Sequence, residues 1–148
     1  MTDESLSGNA EPEGNAEPEI VLTLIFLNAS DVVLGERGLL SSTNVHTCTA
    51  DVLVDTNVSY LCLPTNIIQK LALKLLERVD RQTIDGIQPT GFYGWVMFDI
   101  DGGSDHICKC LEIPDGQRAI LGRIPLAAMG LEPDPDYPQT LRSVAIRV

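Results

Sequence analysis

One segment constrains the fold of this chain more than any other: an apolar strand that ends on a single carboxylate. Residues 50–54 are rich in Val and Leu, Asp55 follows them directly, and the polar residues 56–60 separate it from a second apolar run at 61–64. Short apolar runs bounded by polar turn residues are typical of buried strands. The segment therefore predicts a strand that delivers Asp55 onto a sharp polar turn.

The size and charge of the chain limit its class. Its 148 residues, 44% of them hydrophobic, suffice for one well-cored domain but not for two. The formal net charge is −11 and the ten Lys and Arg residues are scattered. Because a phosphate-binding surface needs clustered basic residues, we expect no nucleic acid and no anionic membrane as a partner.

Targeting signals and disulfides are not expected either. The apolar run at residues 20–27 is far shorter than the roughly 20 residues that cross a bilayer. The acidic segment before it argues against a signal peptide. Four cysteines do not make a disulfide scaffold in a chain of this size, so we expect reduced thiols and a cytoplasmic location.

The start of the chain differs in composition from the rest. Residues 8–13 and 14–19 are identical copies of Gly-Asn-Ala-Glu-Pro-Glu. Such a repeat has too little apolar surface to offset its ordering entropy, so residues 1–19 are predicted to form a disordered acidic tail. A basic partner could dock on it, but we favour a solubilising role. The folded domain is then residues 20–148.

Beyond the tail, the patterns are mainly those of β-structure. Asp85-Gly86 and Asp115-Gly116 are typical of hairpin turns, and residues 101–103 are a further turn. Strands or short apolar stretches of the β type are predicted at residues 21–27, 31–34, 45–54, 74–84, 93–100, 106–113 and 141–148.

Two short helices complete the prediction. Residues 65–71 have apolar residues at helical spacing, and Thr65 or Asn66 could cap them. Residues 124–129 lie between a proline at their start and a glycine after their end, an asymmetry that is typical of helices. The fold class is therefore all-β, with one or two short helices.

Several short motifs follow one another in a defined order around Asp55. They are residues 28–31 (Asn-Ala-Ser-Asp), the glycine-containing residues 35–40, residues 54–58 (Val-Asp-Thr-Asn-Val), Leu63-Pro64, Asp85-Gly86 and residues 120–126 (Ile-Leu-Gly-Arg-Ile-Pro-Leu). Each motif is weak alone, but their order and spacing together are specific. Over about residues 20–142 the chain resembles the retropepsin-like (retroviral-type) aspartic protease superfamily, and more narrowly its small stand-alone prokaryotic members.

The resemblance implies an acid-protease-like half of a closed barrel that acts as a two-fold homodimer. Aspartic proteases activate water between two carboxylates that share a proton, because like charges about 3 Å apart cannot both ionise. This chain offers one convincing candidate, Asp55, so the second carboxylate must come from another copy. The implied activity is that of an aspartic endopeptidase with a peptide or protein substrate, no cofactor and no metal.

The catalytic turn departs from the family pattern at one residue. The resemblance makes Asp55 the catalytic carboxylate and Thr56 a hydrogen-bonding brace across the dimer, but the expected Asp-Thr-Gly appears as Asp55-Thr56-Asn57. If the glycine serves a positive φ, Asn is the least costly replacement. If the glycine is instead needed because the substrate or the partner chain comes too close for a side chain, the Asn57 amide would fill the cleft. The second hypothesis is therefore a silenced, protease-like dimerisation or peptide-binding module.

The resemblance also implies a flap over the substrate. Asp85 and Gly86 would form its turn, and Tyr93 or Trp95 would pack beneath it. The two aromatic residues are equally compatible with a place in the core or in an interface.

A third group of residues would support the catalytic turn from below. These are Ile120, Leu121 and Gly122, of which Gly122 would be needed where backbones approach closely. Arg123 occupies a place where viral relatives have an arginine that pairs with an acid four residues after the catalytic Asp. That position is Ser59 here, so Arg123 needs another partner.

A zinc site is the main alternative use of the histidines and cysteines. His106, Cys108 and Cys110 alternate on one predicted strand, as His46 and Cys48 do on another. Structural zinc sites usually contain close Cys pairs joined by short knuckles, whereas Cys108 and Cys110 have a single residue between them. We therefore expect buried cysteines without a metal.

Overall fold

The structure is a computed structural model that describes residues 19–100, 102 and 104–144. Nearly all of the predicted tail and the last four residues of the predicted strand 141–148 lie outside the described residues. The elements are β1 (Ile20–Asn28), α1 (Ala29–Glu36), a 3₁₀ turn (Ser42–Asn44), β2 (Thr47–Val54), β3 (Leu61–Pro64), α2 (Thr65–Lys70), β4 (Lys74–Thr83), β5 (Gly86–Phe98), β6 (His106–Ile113), β7 (Ala119–Leu121), α3 (Arg123–Ala128), β8 (Leu131–Pro133) and β9 (Leu141–Ser143).

Seven strands form one sheet in the order β1-β2-β7-β3-β6-β5-β4. The end of β1 also pairs with β5, through Leu27 with Met97 and Asn28 with Val96. This pairing closes β1, β2, β7, β3, β6 and β5 into a ring, from which the β4–β5 hairpin extends. Closure removes free sheet edges, as in other small β-barrels. The prediction of an all-β fold with a closed barrel is confirmed.

Alternation along the strands places the core inside this ring. In β1, Leu24 and Phe26 are buried while Thr23 and Ile25 on either side are exposed, the period-two pattern of a strand with one covered face. The buried side chains of the ring pack into one apolar cluster with both short helices. Its most completely buried members are Phe26, Val52, Leu61, Leu63, Leu71, Val96, Phe98, Cys110, Leu121 and Leu126.

The β-type stretch predicted at residues 31–34 is wrong, because these residues lie within helix α1. The Asn28 side chain is the N-cap and accepts a hydrogen bond from the Asp31 backbone N–H at 3.1 Å. Its amide nitrogen donates to the Leu71 carbonyl at 2.9 Å, so the cap is itself held by the core. The helix cap at Asn28, and not the short apolar run, therefore determines the conformation of residues 31–34.

The two predicted helices form, but α2 is not capped as predicted. Pro64 is its N-cap and no side chain of Thr65 or Asn66 caps it. Instead, Asp115 accepts a hydrogen bond from the Asn66 backbone N–H at 2.7 Å. The cap comes from a distant turn that local sequence does not reveal.

The predicted strand boundaries need three corrections. The hairpin at Asp85-Gly86 is present, but Thr83 pairs with Gly86, so its loop begins one residue earlier. Strand β5 spans Gly86–Phe98 rather than residues 93–100. Residues 115–116 form a turn but not a hairpin, because β6 and β7 are separated in the sheet by β3.

Candidate active site

Asp55 follows directly on the buried end of β2. Strand β2 runs parallel to β7, with Val54 opposite Leu121. The Asp55 backbone N–H donates to the Leu121 carbonyl at 3.1 Å, which extends the pairing by one residue. The half-buried Asp55 side chain thus stands where the sheet stops and the chain turns away.

The turn after Asp55 is bound to the Asp55 carboxylate itself. The Asn57 backbone N–H donates to Oδ1 of Asp55 at 2.9 Å, and the Val58 N–H donates to the Asp55 carbonyl at 3.2 Å. An aspartate that accepts from the backbone two residues on forms an Asx turn, which fixes the orientation of its carboxylate. The hydrogen bonds described here engage one carboxylate oxygen, Oδ1, and give Oδ2 no partner among the described residues.

The segment after β7, which is distant in sequence, forms hydrogen bonds to this turn. Arg123 and Ile124 donate their backbone N–H groups to the carbonyls of Val58 and Ser59, at 2.7 and 2.8 Å. A Cβ on Gly122 would lie 2.3 Å from the Tyr60 carbonyl oxygen and 2.7 Å from the Tyr60 nitrogen. Since the neighbours are backbone atoms, no side chain fits at Gly122 without moving the turn.

The Arg123 side chain also reaches the turn. Its Nη1 donates to the Thr56 carbonyl at 3.4 Å and its Nη2 donates to Oγ of Ser59 at 3.3 Å. These are the partners that Arg123 uses in the absence of an acid at position 59. Both contacts are long and exposed to solvent, so each contributes little free energy.

Asn57 does not occupy a left-handed backbone conformation. Among the described residues, Ala72 is the one non-glycine residue with a positive φ. The first of the two explanations for a glycine at position 57, a need for positive φ, therefore does not apply to this chain. The exposed Asn57 side chain lines the same cavity as Asp55.

That cavity has a volume of about 320 Å³ and one wall that the sequence did not predict. Ile20, Val54 and residues 55–57 form one side. Pro133 at the end of β8, with Asp134 and Pro138 of the β8–β9 connection, forms the other. The run Pro-Asp-Pro-Asp-Tyr-Pro at 133–138 predicts a turn. Residues 141–143 of β9 pair with β8, and this pairing places the run against Asp55.

The β4–β5 hairpin has little support at its tip. Thr83 Oγ1 donates to the Gly86 carbonyl at 2.8 Å and accepts from the Asp85 backbone N–H at 3.2 Å. Gly86 has a φ of +106°, and a Cβ there would meet no atom within 4 Å. Ile84 and Ile87 are largely exposed, so the tip presents apolar side chains to solvent.

The aromatic residues assigned to the flap lie at the other end of β5. Tyr93 pairs with Leu75 on β4 and Cys110 on β6 and packs against the core. Trp95 lies at a register shift between β5 and β6 and is 46% exposed. Within one chain the structure therefore does not bring either residue to Asp85 and Gly86. It does bring Asp55, residues 56–57 and Gly122 together.

The buried thiols are poor ligands and poor nucleophiles. Burial raises the pKa of Cys108 to about 12, and burial together with the neighbouring Cys108 and Cys62 raises that of Cys110 further. A thiol must lose its proton to bind zinc or to attack a carbonyl group. Within the described residues, no three His, Cys, Asp or Glu side chains are grouped as metal ligands would be.

Comparisons with known proteins agree with this arrangement at the level of the fold. The structure is similar to that of the EIAV protease complexed with the inhibitor HBY-793, with a TM-score of 0.55 and 18% sequence identity, over 80% of this chain and 94% of that chain. The fold is retropepsin-like. No protein-family model and no curated protein sequence matches the chain. No helix in the described residues is long and apolar enough to span a membrane.

Proposed function

We propose that the chain is an aspartic-type endopeptidase that hydrolyses peptide bonds as a homodimer. The observation that carries the proposal is the turn at Asp55, which is bound on one side by Leu121 and on the other by the backbone N–H groups of Arg123 and Ile124. Such long-range hydrogen bonds hold a carboxylate in one place at the end of a sheet. Preorganisation of this kind is what a carboxylate pair needs in order to share a proton and activate water.

The second carboxylate would be Asp55 of a second copy. An apolar groove of about 370 Å³ begins beside Thr56, and Leu126, Ala127, Leu131 and Val144 contribute to its walls. Apolar surface next to a half-formed active site is what a two-fold interface would cover. In the dimer one Asp55 would polarise the water while the other, protonated, would donate to the scissile carbonyl.

A second candidate function is favoured by Asn57. Its backbone does not need a positive φ, and its amide lines the Asp55 cavity. In a dimer this side chain would lie where the substrate or the partner's turn comes close. A silenced module that dimerises or binds peptides would keep the cleft and lack the cleavage.

Two variants separate the functions. Full-length protein, Asp55→Asn and Asn57→Gly should be incubated with a broad peptide library between pH 4 and 7, and the products identified by mass spectrometry. The endopeptidase should cleave as wild type, lose cleavage in Asp55→Asn and change only modestly in Asn57→Gly. A silenced module should gain cleavage in Asn57→Gly alone.

Oligomeric state provides an independent check on the mechanism. Sedimentation at micromolar concentration should give about twice the chain mass of 16.1 kDa for all three proteins. A strictly monomeric wild type would exclude a mechanism with two Asp55 residues. The cytoplasmic location stays a prediction, for which the four free thiols are the support.

A further inference from the structure

A larger cavity, of about 1130 Å³, lies between the β4–β5 hairpin and the end of β6. We call it the hairpin cavity. Thr83 and Asp85 of the hairpin tip line it, so it continues under the proposed flap. The lining also includes Thr65, Arg81, Gln88 and Glu112.

Arg81 points into the hairpin cavity rather than away from it. Along β4 the half-buried residues Val79, Arg81 and Thr83 alternate with the exposed Asp80 and Gln82. Because side chains alternate between the two faces of a strand, Arg81 shares the inner face of the hairpin. The Arg81 side chain is therefore partly shielded from solvent.

No carboxylate of the described residues neutralises Arg81 at close range. The ion pairs found in residues 19–100, 102 and 104–144 involve other groups, and none places an oxygen within 4 Å of Arg81. Glu112 lines the same cavity, but its Oε2 accepts from Oγ1 of Thr65 at 2.8 Å. The Arg81 guanidinium therefore has no counter-ion among the described residues, and its N–H donors are available to a ligand.

The positive charge of Arg81 also acts on the thiol of Cys62, a residue next to the catalytic turn. Burial raises the pKa of the Cys62 thiol, and the positive charge of Arg81 partly opposes that rise. Cys62 lies on β3, the strand that leads away from the Asp55 turn. The hairpin cavity that Arg81 lines also reaches Thr65, the residue directly after β3.

We propose that Arg81 binds an acidic side chain of the peptide substrate in the hairpin cavity. A carboxylate matches the planar guanidinium with two parallel hydrogen bonds, and Gln88, directly opposite Arg81 on β5, can donate a third from its amide. The chain carries a net charge of −11 and does not attract acidic peptides as a whole, so recognition must come from this local cation. As a statement about substrates, the proposal rests on the proposed function.

Binding should be measured apart from cleavage. Full-length protein carrying Asp55→Asn is titrated, by fluorescence anisotropy, into two pools of labelled decapeptides that differ only in one fixed residue, Glu or Gln. The Glu pool should bind about tenfold more tightly, the value of a hydrogen-bonded charge pair. Adding Arg81→Gln should remove this preference, whereas Arg78→Gln, a change on the exposed face of the same strand, should leave it intact.

Two further variants test whether the preference is lost only because Arg81→Gln fails to fold. Arg81→Lys keeps the charge without the planar fork and should retain part of the preference. Arg81→Glu should reverse it, in favour of a pool with Lys at the fixed position. Equal binding of the Glu and Gln pools by the parent protein, binding of neither pool, or a preference that survives Arg81→Gln would each overturn the proposal.

Cleavage by wild type distinguishes this proposal from the proposed function. If wild type binds the Glu pool preferentially and cleaves neither pool, the endopeptidase function is wrong and the carboxylate site remains. If it cleaves both pools at equal rates, the enzyme remains and the role of Arg81 is wrong.

Discussion

The catalytic turn and the hairpin tip are both tight connections between strands, but they are held in different ways. The turn at Asp55 receives hydrogen bonds from Arg123 and Ile124, which lie far away in the sequence. The tip at residues 84–85 is held by hydrogen bonds to Thr83, its own neighbour. Segments with few long-range contacts open at low free-energy cost. The difference agrees with the proposed function, in which the hairpin would move to admit a peptide and the Asp55 carboxylate would stay fixed.

The largest effect is expected from Gly122→Ala. The new Cβ would lie 2.3 Å from the Tyr60 carbonyl, so the turn must shift or the backbone hydrogen bonds from Arg123 and Ile124 must break. We expect the free energy of unfolding to fall by about 3 kcal/mol, the upper end of the usual cost of overpacking. Urea denaturation followed by circular dichroism measures it. A loss below about 1 kcal/mol would contradict the close approach.

A smaller effect is expected from Gly86→Ala at the hairpin tip. No atom lies within 4 Å of the new Cβ, but the φ of +106° is unfavourable for alanine. The cost should be about 1 kcal/mol, from backbone strain alone. Gly35→Ala serves as the control, since Gly35 lies in helix α1 and the new methyl group makes ordinary contacts with Leu40 and Val45, so it should not destabilise the protein. If Gly86→Ala cost as much as Gly122→Ala, the two turns would not differ as described.

Sequence patterns predicted those parts of the fold whose signals are local. The Asp85-Gly86 signal predicted the β4–β5 hairpin, and the proline and glycine around residues 124–129 predicted helix α3. Helix α1 was missed because a cap at Asn28, supported by Leu71, decided the conformation of an ambiguous apolar stretch. The separation of β6 from β7 by β3 depends on the order of strands in the ring, which no local pattern contains.

The candidate site likewise has residues that local sequence patterns reveal and residues that they do not. Asp55 and the segment at 120–122 could be found from their motifs, because strand ends and a glycine before a helix are visible in the sequence. The wall formed by Pro133, Asp134 and Pro138 could not, since it requires the pairing of β8 with β9. The sequence also could not show that Arg81 has no counter-ion among the described residues, because that depends on distances between strands.

The start of α1 is a third segment that is held by a residue distant in sequence. The stability that this contact contributes should depend on pH. Burial raises the pKa of Asp31, but hydrogen bonds from the His46 backbone and ring outweigh it, so the pKa lies below its usual 3.8. A lowered folded-state pKa adds stability above the unfolded value, and this stability is lost as the pH falls through the folded value. Asp31→Asn should therefore be less stable than wild type at pH 6, and the difference in unfolding free energy should narrow as the pH falls below 3.8.

The control for Asp31→Asn is Asp80→Asn, on the exposed face of β4. Its unfolding free energy should follow that of wild type from pH 6 to pH 3. A gap between Asp31→Asn and wild type that stays constant with pH would show that the carboxylate charge contributes nothing there.

The smallest expected effect is a gain, from Ser59→Asp at the catalytic turn. Nη2 of Arg123 lies 3.3 Å from Oγ of Ser59, so a carboxylate at position 59 is within reach of the guanidinium. Exposed ion pairs contribute about 0.2–1 kcal/mol, and we expect the unfolding free energy to rise within that range. Ser59→Asn, which adds the same bulk without charge, should give no gain. Combining Ser59→Asp with Arg123→Gln should abolish it, and a gain that persists in this double variant would mean that the new carboxylate stabilises the turn without Arg123.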